Sequence, residues 1–254
     1  MNVSGRLGRT VDEAGALALL AGRSLAGLVR PPYEARAWLV QMEQIGVRSF
    51  GVAAITTVFT GMVLALQTAY ALPGLGVKYY IGTVVSKSLV RELAPVLVAL
   101  IVGGRIGAGM TAELGTMKVT EQIAALRSMA ADPVKKLVVP KLAATLLMLP
   151  ILTLLGDLLG VLGGLAIAVS ELGLTPGFYW NDVLSALTLE DVASGVSKSV
   201  FFALFITVVA CHQGLTADGG ADGVGRATTN TVVQASILVL VSDFFLTKLF
   251  YLLP

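Results

Sequence analysis

Five apolar segments, each long enough to cross a lipid bilayer, constrain this fold more than any other feature of the sequence. They occupy residues 49–72, about 84–111, 137–169, about 192–211 and 231–253. About 20 apolar residues in a helix are enough to cross the hydrocarbon core of a bilayer. The sequence therefore predicts an all-α integral membrane protein with about five transmembrane helices. The more polar residues 171–190, between the third and fourth segments, are expected to form a loop.

Composition places the chain in the same class. Hydrophobic residues make up 56% of it and charged residues only 13%, whereas about 25% of residues are charged in a typical soluble domain. The formal net charge is +2 and the basic residues are scattered, which argues against a nucleic-acid partner. Cys211 is the single cysteine and stands in no metal-ligand spacing, so no metal site is expected.

The first 45 residues precede the first span and differ from it in character. Arg23, Arg30 and Arg36 interrupt their leucine-rich runs, so the region is too charged to cross the bilayer. Arginine side chains on such a helix can reach lipid headgroups while the apolar face lies at the membrane surface. We therefore expect residues 1–45 to form an N-terminal cytoplasmic or interfacial helix region; the alternative is a solvated helix.

A polar stretch separates the second and third spans, at residues 103–136. After Gly115, the apolar residues Val119, Ile123 and Leu126 recur at spacings of three to four. This pattern predicts a short amphipathic helix at about 116–130. Periodicity alone leaves three uses open for it: lying at the lipid interface, capping the helix bundle, or docking to a soluble partner.

The letters of this stretch carry a family resemblance. AELGTMKVTEQIAAL, followed by MAADPVKKLVVPK, closely resembles the signature loop of the MlaE/YrbE-type permeases, the membrane subunits of ABC transporters that move lipids with MCE-domain proteins. GMVLALQ, SLVRELAPVLVAL and GVGRATTNTVVQASILVL are similar to that family in the same order. The resemblance covers about 46–254, which we assign as the permease transmembrane domain.

The resemblance implies a set of partners. In such permeases the loop helix is a coupling helix that sits in a groove of a cytoplasmic ABC ATPase. The permease works as a homodimer, contacts a periplasmic MCE-domain hexamer, and moves phospholipid between the inner membrane and the periplasm or outer membrane, which maintains lipid asymmetry. A small cytoplasmic accessory subunit is a further partner that the resemblance leaves open.

Enzyme motifs are missing from the sequence, which agrees with a permease role. No G-x-x-x-x-G-K-[ST] stretch occurs, so the chain has no P-loop for ATP. H-E-x-x-H and G-x-S-x-G are absent as well, and His212 is the only histidine. We expect no cofactor in this chain and no catalytic residue, with ATP bound by the separate ATPase subunit.

Basic residues predict the orientation. With the N-terminus in the cytoplasm and the C-terminus in the periplasm, most of the 18 lysines and arginines fall on the inner side. The same orientation puts the 116–130 loop in the cytoplasm, as an ATPase contact requires, in a bacterial inner membrane. The basic residues assigned to the outer side are Lys78, Lys87, Arg91, Lys198 and Lys248.

Glu92 is the leading candidate for substrate binding, because an acid inside a spanning helix is expensive and marks a pathway or a buried partner. The resemblance implies that it lines a lipid cavity between two permease copies, and Arg91 and Gln67 are assigned to the same cavity. The alternative is that Glu92 pairs with Lys87 or with a partner chain near the outer interface. The residues assigned to ATPase coupling are Glu113, Thr116, Lys118, Glu121, Gln122 and Leu126.

Two rival functions stay open at the level of sequence. The first is a membrane scaffold or sensor that moves no substrate and uses the loop to dock a cytoplasmic regulator. The second is an ion-coupled transporter that uses Glu92 and Asp157, although no internal repeat supports it. Asp157 is otherwise expected to form a hydrogen bond between helices.

Overall fold

The computed structural model of the chain describes residues 3–31, 35–71 and 80–252, and all regular structure within these residues is helical. Within these described residues, ten α-helices follow one another: α1 (Val3–Val29), α2 (Ala35–Met42), α3 (Arg48–Ala71), α4 (Ile81–Ser88), α5 (Ala94–Val119), α6 (Gln122–Ser128), α7 (Val139–Ser170), α8 (Pro176–Ala186), α9 (Leu189–Leu215) and α10 (Gly220–Leu252). The predicted all-α class is confirmed.

Five helical runs within the described residues are long and apolar enough to span a membrane. They are Ala35–Tyr70, Ile81–Val119, Val134–Ser170, Leu189–Leu215 and Gly220–Leu252. The predicted number of spans is therefore confirmed, and each run extends beyond its apolar segment at one or both ends. Hydropathy marks only the apolar part of a helix, whereas the backbone hydrogen bonds continue through its polar ends.

Single π-helical turns join the shorter helices to the longer ones. One, Glu43–Val47, connects α2 to α3, so the first span begins at Ala35 and not at Ser49 as predicted. The others are Leu89–Leu93, between α4 and α5, and Val134–Val138, before α7. Such turns are rare and occur often at functional sites. The second one carries both Arg91 and Glu92.

The chain divides into two compact units. The first comprises 1–45, 103–146 and 203–238, and the second comprises 46–102, 147–202 and 239–254. In the first unit, the buried Thr111 hydroxyl shares a hydrogen bond of 2.8 Å with the Thr231 hydroxyl and donates to the Ala210 carbonyl at 3.0 Å. These bonds tie α5, α9 and α10 together.

The predicted N-terminal helix is present as α1, which packs against the residues before and within α7. Gly27 leaves room for the Val139 side chain, which a Cβ at that position would meet at 2.6 Å. Arg23 forms an ion pair of 3.4 Å with Asp132, and Lys135 donates to the Pro31 carbonyl at 2.7 Å. The position of α1 at the membrane surface stays a prediction.

The loop predicted for 171–190 is wrong, because this segment contains helix α8. Thr175 caps its N-terminus by accepting a hydrogen bond from the Phe178 N–H, and Pro176 occupies the first turn, where no N–H is required. Tyr179 and Val183 lie four residues apart and are both buried. The Asp182 carboxylate accepts hydrogen bonds of 2.8 Å from the Thr83 N–H and 2.5 Å from its hydroxyl, which joins α8 to α4.

The Tyr179 hydroxyl anchors the other side of α8. It donates a hydrogen bond of 3.1 Å to the Val161 carbonyl of α7. Burial, together with the nearby Asp182 carboxylate, raises the pKa of Tyr179 above its ordinary value, so the hydroxyl stays protonated and remains a donor.

Glycines bring α3 and α7 into close contact in the second unit. A Cβ at Gly61 would collide with the Gly160 carbonyl, and a Cβ at Gly163 would collide with the Val58 carbonyl. Lipid tails are as apolar as protein side chains, so helices in a membrane associate mainly through close packing. Small residues allow this because they let the helix backbones approach each other. This pair of helices therefore depends on positions that accept no side chain.

We expect Gly61→Ala and Gly163→Ala each to destabilise the protein by about 1–3 kcal/mol, because the added methyl group forces the backbones apart. The measurement is thermal unfolding of the purified protein in detergent. Gly51→Ala is the matched control, since a Cβ at Gly51 meets no atom within 4 Å. Equal unfolding temperatures for all three variants would contradict the close approach of α3 and α7.

Candidate functional site

A buried lysine organises the polar residues of the second unit. The Lys198 side chain, on α9, is only 1% exposed. Its ammonium group donates hydrogen bonds to Glu92 Oε2 at 2.5 Å, Thr247 Oγ1 at 2.7 Å and the Arg91 carbonyl at 3.1 Å. A lysine has three N–H donors, so all of them are used. We call Lys198, Glu92, Thr247 and Asp243 the Lys198 cluster.

Two carboxylates lie close to the Lys198 amine. Asp243 Oδ1 lies 3.1 Å from Lys198 Nζ, so two carboxylates surround one ammonium group. The Thr247 hydroxyl lies 3.2 Å from Glu92 Oε2 and can donate to it, which closes the network. A buried charge is costly unless it is both paired and hydrogen-bonded, and Lys198 meets both conditions.

Local backbone geometry brings these groups together. Glu92 belongs to the π turn Leu89–Leu93. Gly195 of α9 faces this turn, and a Cβ there would collide with the Val90 carbonyl. Lys198 follows Gly195 by three residues and therefore points from the same face of α9. The close approach at Gly195 lets the lysine reach the turn.

Arg91 points to a different set of partners. Its guanidinium lies 3.4 Å from Asp191 Oδ1 and 5.0 Å from the centre of the Tyr251 ring, a cation–π distance. Arg91 also lines a cavity of about 340 Å³. The other residues of this cavity are Glu190, Asp191, Ala193, Ser194, Ser197 and Phe250. Among these lining residues, Arg91 supplies a cation, and Glu190 and Asp191 supply carboxylates.

Of the three predicted substrate residues, Glu92 and Arg91 contact Lys198, whereas Gln67 does not. Arg91 and Glu92 are neighbours in the π turn, and Lys198 donates hydrogen bonds to both, to the Arg91 carbonyl and to the Glu92 carboxylate. The Glu92 side chain is 38% exposed, so it is accessible while its partner is not. Gln67 is exposed on α3, and the hydrogen bonds of the Lys198 cluster do not include it.

Lys198 is the functional candidate that sequence reasoning missed. Its side chain is buried, and its assignment to the outer side of the membrane stays a prediction. The alternative pairing of Glu92 with Lys87 is wrong, since the observed partner is Lys198. The available signal was a lysine inside an apolar span, which by default marks a buried partner. Asp191 and Thr247 gave no comparable signal.

Asp157 does not form the expected hydrogen bond between helices. It is buried on α7, and its Oδ1 atom has no hydrogen-bond partner within the described part of the chain. The described residues also contain no group of three or more His, Cys, Asp or Glu side chains placed to hold a metal ion.

The short helix predicted at about 116–130 is present as α6, but it is shorter than predicted and covers only Gln122–Ser128. Helix α5 continues through Thr116 and Lys118 to Val119. Glu121 then takes a left-handed conformation, with φ at 61°, and α6 begins at Gln122. A non-glycine residue with positive φ interrupts the hydrogen-bond pattern of a helix, so the chain changes direction there.

Helix α6 is held by few side chains and presents most of its surface outward. Ile123 is buried and Leu126 is partly buried. The exposed residues of this helix are Gln122, Ala124, Ala125, Arg127 and Ser128. Met129, just after it, is 69% exposed. A short helix with exposed small and apolar residues can dock into a groove of another protein.

Glu113 is placed differently from the other predicted coupling residues. It lies on α5, and its Oε2 atom accepts a hydrogen bond of 2.6 Å from the buried Lys141 ammonium of α7. The same ammonium lies 3.5 Å from Gln41 Oε1 of α2. Glu113 therefore neutralises a buried cation within the first unit, while Glu121, Gln122 and Leu126 belong to the exposed loop.

Comparison with known proteins decides the family. The family model for permease MlaE matches residues 38–249. A probable ABC transporter permease of Rickettsia typhi is 40% identical over 240 residues, 94% of this chain and 93% of its own. The intermembrane phospholipid transport system permease protein MlaE of Haemophilus influenzae is 37% identical over 212 residues, 83% of this chain and 81% of its own. A probable ABC transporter permease of Synechocystis is 41% identical over 232 residues, 91% of this chain and 88% of its own.

This chain belongs to the MlaE permease family. As an MlaE-family permease with five candidate spans, it is a multi-pass membrane protein and an ABC transporter permease, a non-catalytic class of subunit. The matched region of the MlaE-family permease contains both the Lys198 cluster and the α6 loop. The predicted family is confirmed.

We expect Lys198→Met to destabilise the protein by about 2–3 kcal/mol, because it leaves the Glu92 and Asp243 carboxylates without their cation. Partial exposure of both carboxylates keeps the loss below that of a fully buried pair. The measurement is thermal unfolding in detergent.

Two further variants test the physical reason. Asp243→Asn added to Lys198→Met should restore part of the lost stability, since it removes one unpaired charge. Lys248→Met, at an exposed position of α10, should change stability by less than about 0.5 kcal/mol. A Lys198→Met protein as stable as the wild type would rule out the cluster as a stabilising element.

Proposed function

We propose that this protein is the permease of an ABC transporter that moves phospholipid, together with an MCE-domain protein, between a bacterial inner membrane and the periplasm or outer membrane, and so maintains lipid asymmetry. The observation that carries the proposal is the likeness to the Haemophilus influenzae phospholipid transport permease over 83% of the chain. The rival role of a scaffold without transport is treated as an outcome of the tests.

The substrate site of this proposal is centred on the π turn at Leu89–Leu93. Arg91 faces a cavity and carries a planar cation that can donate two hydrogen bonds to one phosphate group. Glu92 is exposed enough to accept a hydrogen bond from a headgroup amine or hydroxyl, while Lys198 holds its carboxylate in place. Two copies of the chain would form the lipid cavity, with Gln67 as a further lining residue.

Coupling to ATP hydrolysis is assigned to α6. In this proposal a separate cytoplasmic ATPase binds ATP, and its closure moves α6, whose exposed side chains fit a protein groove. Helix α5 leads without interruption from Val119 back to Ala94, directly after the π turn that carries Arg91 and Glu92. Movement of the loop would then reach the headgroup site through this helix. The N-terminus and α6 are cytoplasmic, and the C-terminus, with the MCE hexamer, is periplasmic.

We expect Ala125→Arg to reduce co-purification of the ATPase subunit at least about tenfold, because a long cation in the middle of the exposed α6 surface obstructs docking. The measurement is quantitative mass spectrometry of the proteins that accompany the tagged permease from its native membrane. Ala221→Arg is the matched control, since Ala221 is also exposed on a helix but lies outside the loop.

Failure of the wild type to retain an ATPase, under conditions that preserve other ABC complexes, would favour the scaffold role. Equal ATPase recovery with both variants would remove α6 from the coupling mechanism and leave the family assignment untouched.

We expect Arg91→Gln to lower the phospholipid retained by the purified protein about tenfold, because it removes a charge-assisted hydrogen bond to phosphate. The measurement is lipid phosphorus per mole of protein, with lipid transfer by the reconstituted complex as a second readout. Lys248→Gln serves as the control for loss of one positive charge at an exposed site. Undiminished lipid retention and transfer in Arg91→Gln would exclude this residue from the substrate site.

A further inference from the structure

A cavity that the proposed function leaves unused lies in the first unit. Its volume is about 620 Å³, within the range of cavities that hold small molecules. The residues that line it are Ala35, Arg36, Ala37, Val40, Gln41, Glu113, Lys136, Leu137, Pro140 and Lys141. We call it the Arg36 cavity. None of its residues belongs to the Lys198 cluster.

The charge in the Arg36 cavity is positive. Three lining residues are cations, Arg36, Lys136 and Lys141, and one, Glu113, is an anion. The buried Lys141 ammonium is already bonded to the Glu113 carboxylate at 2.6 Å, so these two charges offset each other. The excess charge then comes from Arg36 and Lys136, which are both exposed. An anion that enters the cavity meets two accessible cations.

Chain topology places the cavity at the membrane surface. Ala35 begins the first span, Val119 ends the second and Val134 begins the third. A chain that crosses the bilayer twice returns to the side on which it started, so these three ends lie on one side. The lining residues come from these ends, which is where lipid headgroups lie.

The surroundings of the cavity favour a lipid over a protein partner. Leu39 and Val40, in the same helix as Arg36, are 67% and 45% exposed, and at the end of a span such apolar side chains can contact acyl chains. Val40, Leu137 and Pro140 also supply an apolar part of the lining. Basic pockets between transmembrane helices are typical sites for anionic lipid headgroups.

We propose that the Arg36 cavity binds the phosphate-bearing headgroup of an anionic glycerophospholipid as a resident lipid, separate from the transported one. Arg36 and Lys136 donate hydrogen bonds to the phosphate oxygens. Lys141 holds both the Gln41 amide and the Glu113 carboxylate. The Gln41 amide N–H donates to a glycerol hydroxyl group, and the Glu113 carboxylate accepts from one. The bound lipid would tie the start of α2 to the residues before α7. This proposal stands independently of the transport function.

The test measures lipid affinity by native mass spectrometry of the full-length permease in detergent, titrated with dioleoyl phosphatidylglycerol or with dioleoyl phosphatidylcholine. We expect the wild type to bind the anionic lipid more tightly. Arg36→Gln combined with Lys136→Gln should weaken phosphatidylglycerol binding about 30-fold, since each cation contributes about 1 kcal/mol of attraction to an anionic lipid. Phosphatidylcholine carries no net charge, so its binding should weaken much less. The double variant Lys87→Gln, Lys248→Gln removes the same charge outside the cavity and should bind as the wild type does.

Three outcomes overturn the proposal. Equal phosphatidylglycerol affinity in the cavity variant and the control variant would show that the cavity is not the site. Stabilisation of the wild type by inorganic phosphate as large as that by the lipid would identify a soluble phosphate ligand. Loss of ATPase binding with unchanged lipid affinity would identify the cavity as a protein contact. Arg91→Gln, the variant that tests the site of the transported lipid, should still prefer the anionic lipid. The two proposals can therefore be refuted independently.

Discussion

A lysine that is buried in a membrane protein needs acceptors on every donor, and this requirement at Lys198 dictates much of the second unit. Its three hydrogen bonds reach the side chains of α10 and of the π turn, as well as a backbone carbonyl. The fold has to supply two carboxylates and a hydroxyl at one point: Glu92 comes from the π turn, and Asp243 and Thr247 both come from α10. Replacing a buried ionic cluster by apolar residues of similar volume is often neutral or stabilising, so gain of stability alone does not explain why this cluster is present.

Close backbone contact makes such a cluster possible. Gly195 allows α9 to approach the π turn, and Gly61 and Gly163 allow α3 and α7 to approach each other. In a bilayer, helices gain little from burying apolar surface against each other, because lipid tails are equally apolar. Packing of small residues and interhelical polar contacts therefore provide the specificity that a hydrophobic core provides in a soluble protein.

The loop after α5 shows a different relation between stability and function. Helix α6 has seven residues and one buried side chain, so it contributes little to the stability of the unit. Its exposed surface, and the left-handed conformation of Glu121 just before it, are compatible with a segment that binds another protein. By contrast, Glu113 and Lys141 form an ion pair within the first unit, and the exposed residues of α6 take no part in it.

The sequence by itself determined the helical class, the five spans and the family, because apolar length and a long, specific motif are both local properties of the chain. It also made Glu92 and Arg91 candidate substrate-binding residues, since a charged residue inside an apolar segment can be recognised from the sequence alone. It did not predict α8, whose caps at Thr175 and Pro176 lie in a short polar segment, nor the break at Glu121, which interrupts an unbroken apolar period. Only the tertiary structure decided that Lys198, 106 residues from Glu92, is its partner. Pairing of distant charges depends on which helix faces meet, and the close approaches that fix those faces are set by the three-dimensional packing of glycines against backbone carbonyls.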